Sequence, residues 1–233
     1  MHLTHPYDPA VSLPRVLWWN FVSVVIYSYF LLLHRPRWWG SHHVPRTGPV
    51  LFVMNHQSHY DPVLLSLATM DRTISFFGRA SLFKNPLFGA ILRSVNALPV
   101  ERGGRGDLPA IRLCLDLLKS GRTLLMFPEG TRGSAGVVAP FQPGTLLMIR
   151  RARPTVVPVA IEGTRFAFPR GGLPKPFTPV LLRIGEPIPP QRLIDMGDHA
   201  LEHLRSQIEA MRLELGQRLE AMQGTRAADP HRP

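Results

Sequence analysis

At 233 residues with 45% apolar content, the chain is long enough to bury one α/β core and too apolar to stay disordered. Its one cysteine, Cys114, excludes an internal disulfide framework and fits a reducing compartment. A net charge of +11 favours anionic partners; the basic residues are dispersed and accompany no nucleic-acid-binding motif, so lipid surfaces and phosphorylated substrates are expected and nucleic acid is not.

Residues 1–14 are rich in proline and histidine and read as a loose leader. Residues 16–33 then form an uncharged stretch, broken only by the polar Asn20, Ser23 and Ser28 and bounded by Arg15 and by His34-Arg35-Pro36-Arg37. Trp18 and Trp19 stand near one end, Trp38 and Trp39 just past the other. Apolar length, basic flanks and aromatic edges together predict a membrane-associated helix. Eighteen helical residues reach roughly 27 Å, marginal for a full span, so spanning is only weakly preferred over lying in the interface. A cleaved signal peptide is not expected, since Arg-Pro-Arg-Trp-Trp follows instead of a small-residue cleavage site. The competing reading is a buried helix of the domain itself.

From residue 45 onward, short apolar runs alternate with helical patterns. Strands are expected at 50–54, 74–77, 97–100, 123–127, 155–161 and 179–184, and helices near 62–70, 82–93, 108–119 and 144–151. Continuous apolar strands alternating with helices predict an α/β fold whose mostly parallel central sheet is flanked by helices. Cys114, with Ile111, Leu115 and Leu118, falls on the apolar face of one helix and reads as core. Residues 199–222 repeat apolar side chains at steps of three and four, from Leu201 to Met222, which predicts an amphipathic helix packed on the domain. The expected organisation is a leader and membrane-associated helix over 1–39, an α/β domain over 40–190, a C-terminal helix over 191–223 and a disordered tail over 224–233.

Two polar stretches stand at strand exits, where α/β proteins place their chemistry. The first is Asn55-His56-Gln57-Ser58-His59-Tyr60-Asp61-Pro62. A histidine with a carboxylate partner makes a general base. The plain alternative is that Asp61 caps a helix and His59 is a solvated loop residue. The second is Phe127-Pro128-Glu129-Gly130-Thr131-Arg132-Gly133. Its glycines permit close approach to a ligand and its arginine offers a forked donor for phosphate, while Glu129 could orient that arginine or accept from a substrate hydroxyl. Taken alone it is a generic anion site, or a tight turn with a solvated ion pair.

Together the two stretches resemble the glycerolipid acyltransferases, most closely the bacterial 1-acyl-sn-glycerol-3-phosphate acyltransferase (PlsC-like) branch. His56 and Asp61 match a His-x4-Asp motif, and residues 127–133 match a Phe-Pro-Glu-Gly-Thr-Arg block some 70 residues later. Leu98-Pro99-Val100-Glu101-Arg102 and Val157-Pro158-Val159-Ala160-Ile161 are weaker matches, so the resemblance covers roughly residues 35–190.

The resemblance implies transfer of a fatty acyl group from an acyl thioester, acyl-CoA or acyl carrier protein, to the free hydroxyl of 1-acyl-sn-glycerol 3-phosphate (lysophosphatidic acid), giving phosphatidic acid. His56 would be the general base and Asp61 would hold its tautomer. Glu129, Gly130, Thr131 and Arg132, with Arg102, would bind the acceptor. No metal or other cofactor is implied, and the protein would work at a membrane, its site facing the cytoplasm of a bacterium. Residues five apart on a regular helix are separated by about 140°, so residues 56–60 have to form a turn, with the helix starting near Asp61. Asp61 would then both cap the helix and hold His56.

Three departures from the family pattern bear on the acceptor. Arg79-Ala80-Ser81-Leu82 stands where a Lys-x-Glu-Leu segment is frequent, Phe141-Gln142-Pro143-Gly144 where Phe-Lys-x-Gly is frequent, and Glu101 in place of an aspartate. Another lysolipid acceptor is therefore the main alternative. More distant ones are a non-enzymatic lipid-binding protein and a metal-dependent hydrolase ligated by His56, His59 and Asp61.

Overall fold

The structure is a computed structural model and describes residues 13–69, 72–100, 107–133 and 137–228. It opens with α1 (Leu13–His34) and a short strand β1 (Arg37–Trp39). Strands and helices then alternate through β2 (Val50–Met54), α2 (Asp61–Ala68), β3 (Ile74–Arg79), α3 (Pro86–Ser94), β4 (Ala97–Val100), α4 (Asp107–Lys119), β5 (Thr123–Met126), α5 (Gly144–Ala152), β6 (Thr155–Glu162), α6 (Thr164–Ala167) and β7 (Leu181–Ile184). The short α7 (Pro190–Asp195) and the long α8 (His199–Ala228) follow.

The strands form one sheet in the order β1-β7-β6-β2-β5-β3-β4. The five from β6 to β4 are parallel; β7 runs antiparallel to β6, and β1 pairs parallel with β7. β2 sits in the middle, and all five of its side chains are fully buried, which is why residues 50–54 read as a continuous apolar run. Its side chains alternate between two cores. Leu51 and Val53 join a cluster with Leu118, Leu124, Ile149, Val156 and α8, while Val50, Phe52 and Met54 join one with Leu64, Leu65, Val157 and Phe30 of α1. The expected α/β architecture with a mostly parallel, helix-covered sheet is what is found.

The C-terminal helix packs as its spacing predicts: Leu204, Ile208, Met211, Leu215 and Leu219 are all in the first core. It continues to Ala228, past the start of the expected tail, and residues 229–233 lie outside the described set. The segment expected as one helix over 82–93 is a 3-10 turn (Ala80–Phe83) followed by α3, which starts at Pro86, where fixed φ and a missing N–H suit a first helical turn.

The N-terminal region departs further. Residues 37–39 pair with Leu181–Arg183 as the sheet edge, a strand of three residues that is too short to show periodicity. Trp38 packs against the second core beside Tyr27, and the Arg218 guanidinium lies over the Trp39 ring. These two tryptophans, expected as interfacial anchors, serve the domain. The span weakly preferred for residues 16–33 also fails: among the described residues no helix is long and apolar enough to cross a membrane. Its last turns belong to the fold, with Phe30 in the second core and Ile26, Tyr27 and Tyr29 packed against it.

His34 closes α1 and is almost fully buried, its Nδ1 3.1 Å from the Thr178 carbonyl oxygen, to which it donates; its Nε2 is buried without a hydrogen-bond partner. Burial lowers its pKa below the ordinary 6.5, partly opposed by that backbone bond. The folded chain therefore keeps His34 neutral at pH values where the unfolded chain has taken up the proton. Stability present above pH 6.5 is lost as the pH falls through the lowered folded value. The unfolding midpoint should drop as the pH falls below 6.5, and His34→Gln should flatten that slope. Equal slopes in thermal melts of the two proteins would remove His34 as its source.

Candidate active site

The parallel pairing of β2 with β5 on one side and β6 on the other brings three strand exits together. At the exit of β2, the Asn55 amide clamps the backbone of β6: Nδ2 donates to the Ile161 carbonyl at 3.0 Å and Oδ1 accepts from the Ile161 N–H at 2.8 Å. The chain then turns through residues 56–60, and α2 starts at Asp61 with Pro62 next, as the His-x4-Asp spacing requires.

Asp61 has no exposure, and its carboxylate faces back into this turn. Oδ2 accepts from the Gln57 N–H at 2.6 Å and the Ser58 N–H at 2.8 Å, and lies 2.8 Å from His56 Nδ1. Oδ1 accepts from the Thr164 hydroxyl at 2.6 Å. The expected helix-capping role is thus corrected: Asp61 is the first helical residue, after Tyr60, and its acceptors go to the N–H groups before it instead of those of the first helical turn. This network puts the proton on Nδ1 and leaves Nε2 as the basic nitrogen of His56. The His56 ring stacks on Phe127, with centroids 3.9 Å apart and planes 21° apart.

Phe127 opens the second stretch, which grips His56 from the β5 side. Glu129 is buried; Oε1 accepts from the His56 N–H at 2.8 Å and Oε2 from the Ala139 N–H at 3.0 Å. Burial raises the Glu129 pKa, and the two N–H bonds oppose the rise. The Gly133 N–H donates to the His56 carbonyl at 2.9 Å, so both polar groups of the His56 backbone are held. Gly130 turns with φ +73°, and a Cβ on Gly133 would stand 2.9 Å from Glu129 Oε2, so neither position readily takes a side chain.

His59 tilts against Phe168, and its pKa is lowered first by desolvation and then by the positive charges of Arg132, His56 and Arg79, with Asp61 opposing. Arg132 and Arg79 thus direct cationic charge at this end of the sheet, and Arg79 belongs to the segment in which the family's frequent lysine is missing. Thr131, next to Arg132 in the chain, is exposed. Arg102 lies outside the described residues. Among the described residues no three His, Cys, Asp or Glu side chains form a metal-binding group. A small cleft with room for about one water lies behind the turn, lined by His56, Gln57, Glu129, Val138, Arg165 and Arg212.

The family model of the acyltransferases matches residues 35–162, more than half of the chain. The chain belongs to the acyltransferase family. It is 27% identical over 151 residues to the chloroplastic 1-acyl-sn-glycerol-3-phosphate acyltransferase LPAT1 of Arabidopsis thaliana, covering 64% of this chain and 41% of that protein. It is 25% identical over 188 residues to the 1-acyl-sn-glycerol-3-phosphate acyltransferase of Bacillus subtilis, covering 79% and 86%. The crystal structure of PlsC, the 1-acyl-sn-glycerophosphate acyltransferase of Thermotoga maritima, superposes with a TM-score of 0.73 at 26% identity, covering 87% and 81%. The chain spans about two fifths of the length of the first curated relatives it matches, 38–41% of each.

Within this member of the family, the resemblance paired His56 with Asp61 and found the stretch that grips them. It missed Asn55 as a clamp, and it missed Thr164, which fills the second oxygen of Asp61. The available signal was Glu162-Gly163-Thr164, a polar triplet directly after the strand expected to end at residue 161. Its read-out of Glu129 as a substrate ligand meets a carboxylate whose two oxygens already accept backbone N–H groups. Glu129→Gln would turn one oxygen into a donor facing an N–H, and leaving a buried donor unmet costs about 1–3 kcal/mol. Urea unfolding should show a loss of that size, and an unchanged midpoint would remove Glu129 as the brace between the two stretches.

Proposed function

We propose that this chain transfers a fatty acyl group from an acyl thioester to the free hydroxyl of 1-acyl-sn-glycerol 3-phosphate. The observation that carries the reading is the 2.8 Å contact between His56 Nδ1 and a fully buried Asp61, which presents Nε2 as a base. Nε2 takes the hydroxyl proton as the acceptor oxygen attacks the thioester carbonyl. The tetrahedral intermediate then expels the thiolate, which recovers the proton from the imidazolium, and Asp61 stabilises that cation in between. The acyl group passes directly to the acceptor. Cys114 is a poor candidate for a covalent carrier, because burial pushes its thiol up to about 12. Arg132 and Arg79, with Arg102, would hold the acceptor's phosphate, and the donor would be acyl-CoA or an acyl carrier protein thioester.

The site would work at a membrane surface, facing the cytoplasm. Leu17, Trp18, Phe21, Val24, Val25, Leu31 and Leu32 of α1 are exposed, and so are Leu173 and Phe177, whose N–H donates to the Leu33 carbonyl. No acidic residue occurs in 13–60 or 163–185, so this apolar surface suits an anionic bilayer. Truncation is a poor test, because Phe30, His34 and β1 belong to the fold. Phe21→Ser/Val25→Ser/Leu32→Ser should instead lower partition onto anionic vesicles at least about tenfold, the loss expected from moving apolar area out of the interface. Unchanged cosedimentation would show that another surface meets the lipid.

His56→Ala should reduce turnover of 1-acyl-sn-glycerol 3-phosphate with acyl-CoA by at least about a hundredfold, the usual contribution of a general base. Near-normal product by lipid mass spectrometry would take His56 out of the reaction.

A further inference from the structure

Three buried polar groups remain outside the chemistry described above, and they meet at the turn. Glu162 ends β6 almost fully buried. Its Oε2 accepts from the Gln57 side-chain amide at 3.1 Å and from Arg212 of α8 at 2.9 Å. Its Oε1 accepts from the Gly163 N–H at 3.1 Å and lies 3.4 Å from the Arg165 guanidinium. Arg212, also buried, donates to both oxygens of Glu209, at 2.9 and 2.7 Å, and Glu209 in turn accepts from the Val138 N–H at 3.0 Å. Two residues after Glu162, the Thr164 hydroxyl fills Asp61 Oδ1.

A buried Glu–Arg pair costs desolvation and is often no more stable than an apolar pair of the same volume, so its presence calls for a geometric reason. Gln57 supplies one. Its N–H is the shortest of the bonds to Asp61 Oδ2, and its side chain is held by Glu162. Setting that side chain sets the peptide that aims at Asp61. A positioned carboxylate is in turn what orients the imidazole.

We propose that Thr164 and the Glu162–Arg212 pair are positioning residues for acyl transfer: the end of β6 and helix α8 together hold Gln57 and Asp61, and through them the tautomer and aim of His56. This rests on the acyltransferase reading above. Thr164 acts on Asp61 directly, while α8 supplies the guanidinium that bonds the same Glu162 oxygen as the Gln57 amide and so holds it towards Gln57.

Two variants test it. Thr164→Val keeps the volume and removes the hydroxyl; Glu162→Met/Arg212→Leu removes the central pair together, and the partners left over, Glu209 and Arg165, are partly exposed and can be met by water. Both should fold, with kcat lowered about tenfold or more and KM for acceptor and donor within about twofold. Thr164→Ser should restore most of kcat. A downfield proton resonance of His56 Nδ1–H is expected in the unmodified protein and should shift or vanish in both variants. Wild-type kcat in both folded variants would overturn the proposal, as would a changed KM at constant kcat, which would make these groups substrate ligands. If the unmodified protein transfers no acyl group to any lysolipid, the acyltransferase reading fails. The proton resonance then decides the positioning role alone, and an unchanged resonance in both variants overturns it.

Discussion

A fully buried carboxylate is tolerable only when its charge is answered, and Asp61 is answered by four donors at once. Two are main-chain N–H groups of Gln57 and Ser58, one is the imidazole of His56, and one is the Thr164 hydroxyl. Much of the site's geometry follows from satisfying that one group. The chain has to turn tightly after β2 so that two successive N–H groups point inward, His56 has to carry its proton on Nδ1, and β6 has to lie beside β2 so that Thr164 can reach. A histidine alone on this loop would have neither a defined tautomer nor a defined direction.

The sheet order supplies the rest. Because β2 lies between β6 and β5, the loop carrying His56 is braced from both sides, by Asn55 and Thr164 against β6 and by Glu129 and Gly133 against the loop after β5. Parallel strands deliver all three exits to the same edge, which is the general reason such sheets carry their chemistry there. Glu129 illustrates the result: a residue that by composition looks like a ligand for substrate spends both oxygens on backbone N–H groups.

Helix α1 meets two demands at once. Its inner side contributes Phe30 to the core and buries His34, and the Tyr29 hydroxyl lies 2.5 Å from that of Tyr60, the residue directly before Asp61. Burial and that contact raise the Tyr60 phenol above its ordinary pKa, which keeps it neutral. The outer side of the same helix is a row of exposed apolar side chains. The helix proposed to meet lipid therefore touches the turn that carries His56, which explains why its apolar content reads both as membrane-seeking and as core.

The strands and most of the helices were legible because they follow from local pattern, continuous apolar runs, period-3.6 spacing and a proline at a helix start, while the pairing of His56 with Asp61 was legible through the resemblance of its motif to the acyltransferases. The three-residue β1 carried too little pattern to be read, and α1 carried a pattern that two different solvents would satisfy. The sequence by itself determined the fold class and, through the resemblance, singled out two polar strand exits and the pair His56 and Asp61. Only the tertiary structure decided what Asp61 does with its second oxygen, that Glu129 braces a backbone, and that Glu162 and Arg212, 50 residues apart, share one buried contact. Such roles come from strand neighbours and helix packing, and those contacts join residues whose separation along the chain carries no periodic signal.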